Sequence, residues 1–153
     1  MVQIRHCGIY VTNMEKMTLF YKQVFHMYPV CENVIQEDHL IDDIFQCNSA
    51  KVKITKLITD QGKESGHGDM VELIQPLYPC TGDNPKEKAF RRIYSAGTSH
   101  IAFGVDNVKL TLENLLQYGG KTETKVHVMD NGNVCCFCQD PEGNYLEIIG
   151  RKN

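Results

Sequence analysis

Thr98-Ser-His-Ile-Ala-Phe-Gly-Val-Asp-Asn-Val108 puts a single histidine on a short apolar stretch that runs into a helix-start signal. Strand side chains alternate between faces. His100, Ala102 and Gly104 therefore share one side, and Ile101, Phe103 and Val105 share the other. The second side is a core face. The first holds an imidazole among small neighbours, which leaves room above it. A fainter copy lies near the N-terminus, His6-Cys-Gly-Ile-Tyr-Val-Thr-Asn-Met14. His6 aligns with His100, Val11 with Val105 and Asn13 with Asn107, at a constant offset of 94 (100 minus 6). Two strand-to-helix units that each open on a histidine point to a duplicated module.

The 153 residues fit one domain, 1–153, made of two modules: the first about 1–78, a linker 79–96, the second about 97–150. Hydrophobic content of 42% and charged content of 23% are ordinary for a soluble globular chain. A net charge of −3 gives no reason to expect a nucleic-acid partner or an anionic membrane. No apolar run approaches the length of a membrane helix. The start, Met-Val-Gln-Ile-Arg-His6, lacks an apolar signal core. Seven cysteines without framework spacing fit a reducing compartment, so a cytoplasmic protein is expected.

Along the chain, residues 4–11 read as a strand. Thr12-Asn-Met-Glu15 has the form of a capping box, and Met17, Phe20, Tyr21, Val24 and Phe25 then follow the helical period. Tyr28–Gln36 reads as a strand. Asp38–Phe45 reads as a short helix with an Asp cap and with Leu40, Ile41, Ile44 and Phe45 on one side. Val52–Thr59 alternates as a strand, Asp60–Asp69 with three glycines reads as a loop, and Met70–Gln75 is a strand. Pro85 opens an expected linking helix over Lys86–Tyr94. The second module reads as a strand over 98–105 and a helix from about Val108 with Leu112, Leu115 and Leu116 inward. Strands follow at Lys121–Met129, Asn133–Gln139 and Tyr145–Ile149, with turns at Asp130-Asn-Gly132 and Asp140-Pro-Glu-Gly-Asn144.

The closing strands of the halves match as well. Val71-Glu-Leu-Ile74 parallels Leu146-Glu-Ile-Ile149 at an offset of 75 (147 minus 72). Each places one glutamate between apolar residues, on the face opposite the core. Two imidazoles and two carboxylates suit one divalent transition metal ion, Zn, Ni, Co, Mn or Fe. Cys135, Cys136 and Cys138 do not make a thiolate site, because alternation splits them between faces. Tyr10 and Tyr145 share the parity of His6 and Glu147. His67 reads as a loop residue, and Arg91-Arg92 as a solvated helix end.

With these residues the chain resembles the vicinal oxygen chelate superfamily, which includes glyoxalase I, methylmalonyl-CoA epimerase, bleomycin-resistance proteins and extradiol dioxygenases. The ending Asp140-Pro-Glu-Gly-Asn-Tyr-Leu-Glu147 is common in it. The resemblance implies an α+β fold of two tandem βαβββ modules forming a curved sheet around a metal-binding cavity. It implies metal ligands His6, Glu72, His100 and Glu147. It implies a metal-dependent lyase or isomerase, of epimerase or glyoxalase type. Such an enzyme moves a proton next to a metal-bound carbonyl or hydroxyl through an enediolate-like intermediate. Glu147 would be the principal base and Glu72 a second catalytic carboxylate. The partner would be a small carbonyl or hydroxy-carbonyl compound, and the protein a homodimer. Alternatives are lactoylglutathione lyase proper and a non-catalytic binding protein of the resistance type. Tyr10 and Pro76 stand where glutathione-dependent glyoxalases usually carry Arg and Asn, and Ser99 stands where epimerases usually carry a second His.

Overall fold

Nine strands form among the described residues, which are 4–66, 68–79, 97 and 100–151 of the computed structural model, and apolar side chains alternate most clearly in β3 (Lys51–Ile58) and β8 (Asn133–Gln139). The first half runs β1 (His6–Tyr10), α1 (Met14–Val24), β2 (Tyr28–Gln36), α2 (His39–Phe45), β3 (Lys51–Ile58), α3 (Asp60–Ser65) and β4 (Met70–Tyr78). The second runs β5 (Ile101–Gly104), α4 (Val108–Gln117), β6 (Lys121–Thr122), β7 (His127–Val128), β8 (Asn133–Gln139) and β9 (Tyr145–Arg151). One sheet has the order β1-β4-β3-β2. The other has β5-β9-β8-β6, with β7 also paired to β8. In each sheet the first strand lies parallel to the last, and the remaining pairs are antiparallel. This is the α+β architecture of tandem βαβββ units.

Helix α1 forms because Met14, Met17, Phe20, Tyr21 and Val24 recur at helical spacing and all are buried. Its cap is Asn13, whose side chain accepts from the Lys16 amide at 3.0 Å. The capping box expected from Thr12 does not form. Thr12 is held instead by Glu142 of the distant Asp140–Asn144 turn. Glu142 Oε2 accepts from the Thr12 amide at 2.8 Å, and Oε1 from the Asn13 amide at 2.7 Å. A carboxylate at a helix N-terminus satisfies orphan amides and suits the helix dipole. Helix α4 repeats the design, with Asn107 accepting from the Leu110 amide at 3.0 Å.

Four local expectations are corrected. Residues Asp60–Ser65 form helix α3 rather than loop: Thr59 Oγ1 caps the Gly62 amide at 3.1 Å, and Gly66 ends the turn at a φ of +74°. Gly62 is required there because a Cβ would lie 2.8 Å from Gly68 O and from Ile58 Cγ1. Lys121–Met129 is not one strand but β6 and β7. Between them, Thr124 Oγ1 accepts from the Phe137 amide at 3.1 Å, so a side chain replaces a backbone rung. Leu116 of α4 faces solvent while Val108, Thr111 and Leu115 are buried, since a ten-residue helix covers only a narrow stripe. On α2 only Ile41 is buried; Leu40 and Ile44 are exposed. The expected helix Lys86–Tyr94 with Pro85, the pair Arg91-Arg92 and His67 lie outside the described residues.

One apolar cluster joins the halves. Ile9, Val71 and Leu73 from the first sheet share it with Cys136, Cys138, Leu146 and Ile148 from the second, around Phe20, Tyr21 and Leu115 of the helices. Phe25 stacks on Phe103 of β5, with centroids 3.9 Å apart and planes inclined by 15°. The buried Tyr21 hydroxyl donates to Asp140 Oδ2 at 3.0 Å. Burial raises the Asp140 carboxyl above the ordinary carboxylate range. Hydrogen bonds from Asn144, the Glu142 amide and Tyr21 oppose that rise. Tyr21→Phe removes one hydrogen bond to Asp140 without changing the ring; Asp140 Oδ2 keeps the Asn144 side-chain amide at 2.8 Å, so the change should cost about 0.5–1.5 kcal/mol of stability, read from the urea midpoint. An unchanged midpoint would show that this bridge adds nothing net. No helix among the described residues is long and apolar enough to cross a membrane.

Candidate metal centre

Strand register builds two like pairs. In the first sheet Gly8 stands opposite Glu72, and His6 lies two residues upstream of Gly8 on the same face. In the second sheet Ala102 stands opposite Glu147, and His100 lies two residues upstream of Ala102. His6 Nε2 is 3.2 Å from Glu72 Oε2, and His100 Nε2 is 3.3 Å from Glu147 Oε2. Both pairs lie on the sheet faces turned away from the shared core, because the intervening Ile9, Val71, Leu73, Leu146 and Ile148 fill that core. The histidine side chains are 39% and 29% exposed, so both pairs lie at the surface of the single chain. Beside the second pair, the space where a Cβ of Gly104 would stand has no atom within 4 Å.

The two pairs do not meet within one chain. Among the described residues, no three His, Cys, Asp or Glu side chains gather as they would around one ion. The chain places one His–Glu pair at each of two positions. Cys136 and Cys138 sit side by side in the core, with Sγ atoms 3.7 Å apart, and burial pushes the Cys138 thiol far up. Cys135 points to the other face of β8, as alternation requires, so the three thiols do not converge.

The third strand distinguishes the pairs. Lys56 on β3 stands opposite Glu72, and its Nζ is 2.9 Å from Glu72 Oε1. The matching position opposite Glu147 is Phe137 on β8, whose ring meets the His100 imidazole edge-on at 5.0 Å between centroids. Reading the sequence passed over Lys56. The available signal was its parity with Val52 and Ile54 on an alternating strand.

Tyr10 shares the face of His6 and packs edge-on against Phe45 of α2 at 6.3 Å. Beyond it opens a cleft of about 430 Å³ lined by Tyr10, Thr12, Phe45, Pro76, Glu142 and Asn144, with no cationic side chain among its described lining residues. Tyr145 alternates with Leu146 and so takes the outer face with Glu147.

The chain belongs to the Glyoxalase/Bleomycin resistance protein/Dioxygenase superfamily, whose family profile matches residues 3–148. No curated protein matches it by sequence. Solved structures share the fold. A glyoxalase family protein from Bacillus cereus is 16% identical with a TM-score of 0.83, covering 100% of this chain and 96% of its own. The trypanothione-dependent glyoxalase I of Leishmania major is 17% identical with a TM-score of 0.62, covering 98% of this chain and 87% of its own. A glyoxalase I mutant from Zea mays is 19% identical with a TM-score of 0.59; the alignment covers 99% of this chain and 45% of that one.

Proposed function

We propose that this chain is a metal-dependent lyase or isomerase that moves a proton on a carbon next to a carbonyl or hydroxyl, at a centre shared between two copies of the chain. The observation that carries the reading is the repeated pair, one imidazole nitrogen and one carboxylate oxygen about 3.2–3.3 Å apart, in the same strand register in each sheet. This donor set fits a divalent transition metal. Each pair supplies two ligands, and such an ion takes four or more. A two-fold dimer that lays the first sheet's outer face on the partner's second would complete two equal sites. His6 and Glu72 would come from one copy, His100 and Glu147 from the other. When bound, the ion supplies Lewis-acid polarisation of a substrate oxygen.

The remaining work falls to the chain's own groups. Glu72 has its oxygens directed to Lys56 and His6, which holds it as a fixed ligand. Among the described residues Glu147 pairs with His100, stands opposite Phe137 and lies near Cys135, and it is the carboxylate suited to take a proton from carbon and return it. The apolar cleft supports a substrate other than a glutathione adduct. Tyr10 and Pro76 line it, at the positions where glutathione-dependent glyoxalases usually carry Arg and Asn.

Metal analysis of protein purified without chelator should find about one ion per chain, two per dimer. Solvent deuterium should then enter candidate carbonyl substrates next to the carbonyl. Metal without exchange into any of them would favour the resistance-type binding reading instead.

A further inference from the structure

The geometry points to Lys56 as a substrate-binding residue that selects compounds carrying a carboxylate beside the oxygen presented to the metal, such as 2-hydroxy or 2-oxo acids. This rests on the reading above that the His and Glu pairs hold a divalent ion.

Lys56 and Phe137 occupy matching positions of the two sheets, each opposite the ligand glutamate of its own β-ladder. A duplicated site that needed only its four ligands would have no use for a charge at one of these positions and a phenyl ring at the other. The charges make the difference clear. Two carboxylates balance a divalent ion, and Lys56 then leaves the site with one positive charge in surplus. Phe137 contributes none. A neutral ligand leaves that surplus uncompensated, and a monoanion cancels it.

The ammonium is also placed to make contact. It carries three donor hydrogens, and Glu72 Oε1 at 2.9 Å takes one. Within one chain the Lys56 side chain is 34% exposed and Glu72 only 12%, so the ammonium stands farther out from the sheet than the carboxylate it pairs with and projects into the space that the shared centre would enclose. Its carboxylate partner is shared with His6, 3.2 Å away on the other oxygen, which keeps the ammonium on the same face as the ligand pair. An ordinary cross-strand ion pair would give sheet stability alone and would not discriminate between ligands by charge.

The test compares two small chelators on cobalt-loaded protein by titration calorimetry. Glycolate carries a carboxylate beside its hydroxyl; hydroxyacetone carries a neutral ketone there. The ratio of their affinities is the readout, and the cobalt content of the same samples is measured alongside. Lys56→Met should lower the glycolate preference by about tenfold, the size of one charge-assisted hydrogen bond, and Lys56→Arg should restore most of it. Lys56→Gln replaces the Met variant if circular dichroism shows that the latter is unfolded. Cobalt bound with the same preference in Lys56→Met as in the wild type overturns the role of Lys56 and leaves the metal reading standing. A wild-type protein that takes up no cobalt overturns both.

Discussion

His100→Ala protein, reassembled with His6→Ala protein, is expected to regain metal that neither variant holds alone. In a homodimer of His100→Ala, each shared site keeps His6, Glu72 and Glu147 but lacks an imidazole. The His6→Ala homodimer lacks the other. Tight binding should be lost in both. In the mixed dimer the two defects fall on the same site. The second site receives an intact His6–Glu72 pair from one copy and an intact His100–Glu147 pair from the other. Random reassortment makes about half of the dimers mixed with one good site each, so recovery should reach about a quarter of the wild-type metal per chain. Co-unfolding and refolding, followed by metal analysis, reads the result. The expectation follows from the separation of the two pairs within a chain. Recovery of no metal would place the site within one chain, and stoichiometric metal in His100→Ala alone would remove that residue from the ligand set.

Glu147→Gln is expected to keep substantial metal and to lose roughly 10²–10⁴-fold in turnover, the usual contribution of general base catalysis. Glutamine keeps the size of the side chain and one oxygen able to ligate, but gives up the base. The loss should exceed that of a general packing defect, because Glu147 is only 18% exposed and lies between the core residues Leu146 and Ile148, which the substitution leaves in place. Deuterium exchange into a carbonyl substrate, with metal content measured on the same sample, separates the two effects. Exchange at the wild-type rate would move the base to Glu72, against the hold that Lys56 and His6 have on it. Parallel loss of metal and exchange would make Glu147 a ligand without a separate role in proton transfer.

Much of this protein is legible in its sequence, for a local reason. Alternation tells which face of a strand each side chain takes, so β8 falls on Asn133–Gln139 as read, and each histidine shares a face with its glutamate; β2 also falls on Tyr28–Gln36 as read, though its bulges break the alternation. Helical spacing gives α1 and α4, and an amide side chain at Asn13 or Asn107 stops the strand-to-helix turn. Where neighbours distant in sequence supply the partner, local reading falls short. Glu142 takes the amides of Thr12 and Asn13 from about 130 residues away, which displaces the expected capping box. Lys56 reaches Glu72 only through the β3–β4 register. Alternation also says nothing about which faces are brought together. That choice is made by packing across the whole molecule. Phe25 on Phe103, Tyr21 on Asp140 and the shared core turn both sheets' His–Glu faces outward from it, so the sequence determined the two His–Glu pairs and only the tertiary structure decided that they do not close on each other within one chain.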